Sequence, residues 1–215
     1  ESIKLCHQAL QIQPPHCDEE TVAYIKEVLA QAFLFAGQRQ KSIDIFREVL
    51  DVLQAKLGEP HPAIAKAKYN MADAYLQLDD PESMALLREA LEMEGDYFGD
   101  DALEVTHSMV ALGKAGCHFG KRDRNLEYIE AAISLFEEAL EIRSAALPPG
   151  HVDMAEVLDA LASAQKVQRE LIAPPAPVEH LGSEDDQTDI FYDGLLASFR
   201  GESFQQAMAQ VLAGS

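Results

Sequence analysis

The residues able to do chemistry here are seven histidines, three cysteines and 37 carboxylates, and their spacing argues against most of it. Cys6, Cys17 and Cys117 each stand beside a histidine, His7, His16 and His118. Adjacent residues on a helix point in different directions, and no CxxC pair is present, so neither a structural zinc site nor a disulfide framework is expected. An odd cysteine count fits a reducing compartment such as the cytoplasm. Carboxylate pairs such as Glu137 with Glu138, or Asp100 with Asp101, are what acidic helices and caps supply throughout a chain. There is no GxSxG, no glycine-rich phosphate loop ahead of a helix, no HExxH and no DxDxDG calcium loop. His61 and His151 fall at equivalent places in two similar phrases, which assigns them to turns rather than to proton transfer. The expectation is a chain with no catalytic residues, no metal and no cofactor; an enzyme reading would rest on His107 and His118 alone.

Composition narrows the partners. With 47% apolar and 25% charged residues, the 215-residue chain has what a folded core requires. Its net charge of −20 opposes phosphate backbones and anionic lipid surfaces, so the expected partners are proteins or peptide segments, not nucleic acid. No apolar run reaches the roughly 18 residues needed to span a bilayer, so membrane insertion is not expected.

The elements that position these residues come from repetition. A seven-residue phrase occurs four times: CHQALQI from Cys6, FREVLDV from Phe46, LREALEM from Leu87 and FEEALEI from Phe136, at offsets of 40, 41 and 49. Apolar residues at i, i+3 and i+4 make each copy a helix with one packed face, and a fixed period of this length marks a solenoid. Ahead of three copies lies a second helical pattern rich in small residues: Leu29, Ala30 and Phe33, then Met71, Ala72 and Tyr75, then Leu112, Gly113 and Gly116. The third set lacks the aromatic, which predicts looser packing there. Between units stand LGEPHPAIA from Leu57, FGDDALEVT from Phe98 and LPPGHVDMA from Leu147, where Gly, Pro and Asp stop one helix and start the next.

Paired helices of about 40 residues, with MADAY followed by LREALEM and joined by LGEPHPAIA, resemble tetratricopeptide repeats, and more narrowly the long-period repeats of kinesin light chains. The resemblance implies an all-α, right-handed superhelical solenoid of antiparallel helix pairs over residues 1–172, in units of about 1–17, 18–58, 59–99, 100–149 and 150–172. It also implies a groove lined by the first helix of each unit. Turning each first helix so that its packing residues face their partner leaves Glu27, Gln31 and Phe35 in one unit. Lys66, Tyr69, Asn70, Asp73 and Gln77 follow in the next, and His107, Val110, Lys114 and His118 in the third. Asn70 matches a peptide-holding position, but Glu27 and Gln31 stand where a carboxylate clamp has Lys and Asn, which argues against binding acidic chaperone tails. Lys121 to Tyr128, KRDRNLEY, is an insertion that either lengthens a turn or extends its helices, and either a solvated loop or a contact for an acidic partner.

Three prolines in APPAPVE exclude helix, so residues 173–188 read as a Pro-rich and then acidic linker. Residues 189–215 form two short amphipathic patterns, with Phe191, Leu195, Leu196 and Phe199 on one face and Phe204, Met208 and Leu212 on the other helix. Such helices must dock on something. The tail either caps the last unit, folds back over the groove or plugs into a neighbour. The function these features predict is a non-catalytic scaffold or adaptor holding a protein segment; the alternative is a structural subunit of a large assembly.

Overall fold

The computed structural model describes residues 2–11 and 19–173. The described residues form one compact unit, and the expected tail-docking residues all lie outside the described residues. Among the described residues eight α-helices follow one another: α1 (Ser2–Gln11), α2 (Glu19–Phe35), α3 (Arg39–Leu57), α4 (Pro62–Leu76), α5 (Glu82–Phe98), α6 (Thr106–Asp123), α7 (Leu126–Ala146) and α8 (Val152–Ile172). Each packs against the next, α2 also touches α4 as α6 touches α8, and Tyr69 of α4, His107 of α6 and Glu156 of α8 line one cavity, so the first helices follow one another along one side.

Local chemistry sets where helices begin and end. His61 and His151, the equivalent linker histidines, cap α4 and α8: their Nδ1 atoms accept from the amides of Ala63 at 3.1 Å and Asp153 at 3.3 Å. Pro62 occupies the first turn of α4, where its missing N–H costs nothing. Gly58 and Gly99 end α3 and α5 at φ of 69° and 93°, a left-handed backbone that a Cβ would strain, which is why the linker phrase keeps its glycine. FGDDALEVT departs from the expected aspartate cap: a 3-10 turn at Leu103–Val105 leads into α6, and Thr106 Oγ1 donates back to the Leu103 carbonyl at 2.7 Å. The inserted KRDRNLEY extends both helices. Lys121 to Asp123 form the last turn of α6 and Leu126 to Tyr128 the first of α7, leaving only Arg124, at φ 51°, and the capping Asn125 between them.

The core is a chain of clusters. Phe46, Val49, Leu50 and Leu53 of α3 meet Ala30 and Leu34 of α2 and Ile64, Ala67 and Met71 of α4. Further along, Phe136 and Ala139 of α7 meet Met109 and Val110 of α6 and Val157 of α8.

The third pair overturns the expectation of loose packing. A Cβ at Gly113 would lie 2.6 Å from Cε1 of Phe136, one at Gly116 3.2 Å from the Tyr128 carbonyl, and one at Gly120 2.7 Å from Cδ1 of Ile129. The glycines bring the backbone of α6 close to α7, and Phe136 of the partner helix, 1% exposed, fills the space over Gly113. A valine at Gly113 must displace that ring. We expect Gly113→Val to destabilise the domain by about 2–3 kcal/mol and Phe136→Leu in the same chain to recover part of the loss, measured by urea denaturation.

Candidate functional site

The wall of first helices carries three cavities at successive steps along the array. One, of about 360 Å³, lies over Tyr24, Leu53, Leu57 and Lys66. The next, about 500 Å³, lies over Lys66, Tyr69, Asn70, Glu94, Phe98, Glu104, His107 and Ser108. The third, about 330 Å³, is lined by Tyr69, Asn70, Asp73, His107, Val110, Lys114, Arg143 and Glu156. They are one site repeated. Adding 41 to Leu53, Leu57, Ala63 and Lys66 gives Glu94, Phe98, Glu104 and His107, and adding 49 to Glu94 and His107 gives Arg143 and Glu156. The floor residue is always the one that follows the seven-residue phrase: Leu53, Glu94 and Arg143. Two polar floors therefore stand where the helical stripe asks for an apolar residue. That conflict is written in the sequence, where Phe136, Ala139 and Arg143 lie at helical spacing on one stripe and Arg143 stands one position beyond the seven-residue phrase.

Arg143 is 1% exposed and tied on three sides. Its Nε donates to Thr106 Oγ1 at 2.9 Å and its Nη1 to the Asp153 carbonyl at 2.7 Å, while Glu156 Oε2 lies 3.7 Å away. Glu156 also accepts from Lys114 Nζ at 2.5 Å. That bond, followed by the charges of Lys114, Arg143 and His107, holds the Glu156 carboxyl below the usual carboxylate range. Above this floor Tyr69 is half-buried; burial first, then the charges of Asp73, Glu156 and Glu94, push its phenol up.

Glu94 has no such partners. Burial raises its pKa. The Ser108 hydroxyl faces it and opposes that rise, but no well-formed hydrogen bond joins them, and both Glu94 Oε2 and Ser108 Oγ are buried without a partner among the described residues.

The expected groove residues divide. Tyr69, Asn70, Asp73, His107, Val110 and Lys114 share one cavity. Val110, however, is 3% exposed: it belongs to the core with Val157 because α8 covers it, so it is floor and not an open contact. Glu27, 9% exposed, is likewise enclosed, accepting from Asn70 Nδ2 and pairing with Lys66 Nζ, each at 3.0 Å, as the neighbouring first helix closes over it. Gln31 is half-buried and lines none of these cavities, and Phe35, 90% exposed, ends α2 away from them, so Tyr69 is the only aromatic of the expected set within the groove. Gln77 caps α4 and donates to Asp73 Oδ2 at 3.2 Å.

His118 joins a different constellation. Its Nε2 lies 2.7 Å from Asp79 Oδ1, Arg122 Nη1 lies 3.1 Å from the same atom, and Arg122 also pairs with Asp123 and stands over the Phe119 ring. The His118 hydrogen bond and then Arg122 lower the Asp79 pKa. The basic insertion is thereby partly used in pinning α6 to the preceding turn. Cys117, beside it, borders a second hollow toward α8.

An all-helical array of paired helices with a one-sided wall of first helices defines a helical-repeat binding domain. Residues 20–94 match the tetratricopeptide repeat family. Solved structures agree in fold. One described as a kinesin light chain with nearly identical TPR-like repeats, from Podosopora anserina, is 20% identical with a TM-score of 0.63, covering 79% of this chain and 81% of its own. A variant form of that protein is 17% identical with a TM-score of 0.57, covering 92% and 94%. BtubC (BKLC) from P. vanneervenii is 18% identical with a TM-score of 0.52, covering 86% and 79%. No curated protein matches the chain. The resemblance to long-period, kinesin-light-chain-like repeats holds, and this fold supports protein–protein interaction in general. Among the described residues no helix is long and apolar enough to cross a membrane.

Two outcomes follow from the site's chemistry. Removing Arg143 orphans buried partners, so Arg143→Ala should cost about 3–5 kcal/mol. Lys114→Ala, removing one half of an exposed pair, should cost under about 1 kcal/mol; chemical denaturation of both variants reads the contrast. Burial pushes the Cys117 thiol up to about 11. At pH 8 its thiolate fraction, and hence its alkylation rate by iodoacetamide, should be roughly 100-fold below that of an ordinary cysteine, read by peptide mass spectrometry.

Proposed function

We propose that this chain is a non-catalytic scaffold that holds an extended segment of a partner protein along the wall formed by α4, α6 and α8. The observation that carries the reading is the convergence of Tyr69, Asn70, Asp73, His107 and Lys114 on one cavity whose floor, Arg143, is held from three directions. Polar side chains held on a packed backbone suit peptide recognition, because a preorganised site spends little on ordering itself. Tyr69 supplies apolar area with a polar tip, and Asn70, already anchored on Glu27, presents its carbonyl to a guest backbone. The Lys114–Glu156 pair within the groove is half-exposed at both ends, so exchanging it for contacts to a partner costs little.

Selection of peptides from a displayed proteomic library on the full chain tests this. Selected peptides should lose at least about 10-fold in affinity on Tyr69→Ala, a typical anchor effect, while Asp51→Ala on an exposed position of α3 leaves them unchanged. Tyr75→Ala, which removes a buried aromatic whose hydroxyl accepts from Arg47 at 2.7 Å, should instead destabilise the fold by about 3–5 kcal/mol. Binding indifferent to Tyr69, or equal melting losses for both tyrosines, would overturn the groove assignment.

A further inference from the structure

The three floor residues differ in how they are satisfied. Leu53 is apolar and buried, Arg143 has partners on three sides, and Glu94 has a carboxylate oxygen buried with none among the described residues. Ser108, wholly buried, turns a second unpartnered oxygen into the same cavity. Glu104 stands at the rim and makes no ion pair among the described residues. The rim cation Lys66 is committed to Glu27 at 3.0 Å. Phe98, 40% exposed, and the half-buried Tyr69 form aromatic walls. Glu94 with Ser108 beneath and Glu104 at the rim bring two carboxylates and a hydroxyl to one cavity that Tyr69 and Phe98 also line, a set of groups suited to a planar cation.

We propose that the cavity between α4, α5 and the start of α6 is a binding site for an arginine side chain of a partner polypeptide, its guanidinium donating to Glu94 and Ser108 and lying against Phe98. This rests on the scaffold reading and gives its partner a chemistry: an arginine-bearing segment, consistent with a chain of net charge −20. Arginine fits better than lysine because a fork of N–H groups can satisfy a carboxylate and a neighbouring hydroxyl at once, and a planar, weakly hydrated cation stacks on an aromatic ring. The equivalent cavity one unit earlier has Leu53 and Leu57 in place of Glu94 and Phe98, and the one after has Arg143, so the preference belongs to this step alone.

The test is a titration of the full, isotopically labelled chain with Nα-acetyl-arginine methylamide and with the matching citrulline compound, which keeps the shape and removes the charge. A fragment of this size binds at roughly millimolar concentration. Saturable shifts of the backbone amides around Glu94, Phe98, Glu104 and Ser108 with the arginine compound, absent with citrulline and weakened at least about 10-fold by Glu94→Gln, are expected. Ser108→Ala, which deletes one atom without changing the packing, should weaken binding by about 3-fold and serves if Glu94→Gln fails to fold. Equal shifts with both compounds, or shifts mapping elsewhere, would overturn the site. Free arginine binding as tightly as the capped compound would overturn the polypeptide source in favour of a small-molecule site. If library-selected peptides bind through Tyr69 but ignore Glu94→Gln, this inference fails and the scaffold stands; if no peptide is selected, the scaffold reading fails while the titration still decides the cavity.

Discussion

Each helix pair in this molecule has more apolar surface than its own partner can cover, and the whole arrangement follows from that surplus. Ile45, Leu91 and Leu135 show how it is used: each packs against two of the three core clusters, so that neighbouring units share side chains instead of ending in a seam. A unit alone would leave those residues wet, at about 25 cal/mol for every Å² of apolar surface, and could not repay the entropy of ordering its chain. Stacking is therefore obligatory, and it employs the second helices on both sides. The first helices are held at a fixed spacing with their outer faces uncommitted. The groove is what remains after the array has satisfied itself.

Arg143 ties this architecture to the chemistry of the groove. A buried guanidinium is expensive to desolvate, and its cost is offset only when its N–H groups find partners in good geometry. Here the partners come from Thr106 at the start of α6 and from the Asp153 carbonyl at the start of α8, so one side chain of α7 sets the positions of two first helices at once. Glu156, nearby on α8, is drawn to the same charge and reaches Lys114 across the groove. Registration of α8 and the polarity of the cavity floor are thus a single constraint.

The parts of this structure that were legible in the sequence are those that recur. Phe46, Leu87 and Phe136 announce the second helices, His61 and His151 the caps, and Tyr69, Asn70 and Asp73 the open side of α4, because a periodic pattern averages over local noise. What could not be read depends on contacts between units with no fixed spacing. Gly113 looked like a missing packing residue, yet it is a space made for Phe136, and nothing on α6 itself names the ring that fills it. Val110 looked accessible because the turn of α6 leaves it outward; only the arrival of α8, a helix later, encloses it. Glu27 was enclosed in the same way by Lys66 and Asn70.

Leu53, Glu94 and Arg143 bring these two kinds of information together. Their position is repeated, and so is its place beneath a cavity, but its chemistry is not: apolar, acidic, basic in successive units. A repeat array selected only for stacking has every reason to keep leucine there, since an ionised group at a core position lowers stability unless it is matched. Arg143 is matched within the fold. Glu94 is not, and burial drives its carboxyl toward the protonated form, so as an unliganded residue it works against the stability of its own unit. A buried carboxylate oxygen left without a well-formed partner, at a position whose equivalents are apolar in one unit and fully tied in another, is the asymmetry on which the proposed arginine site rests.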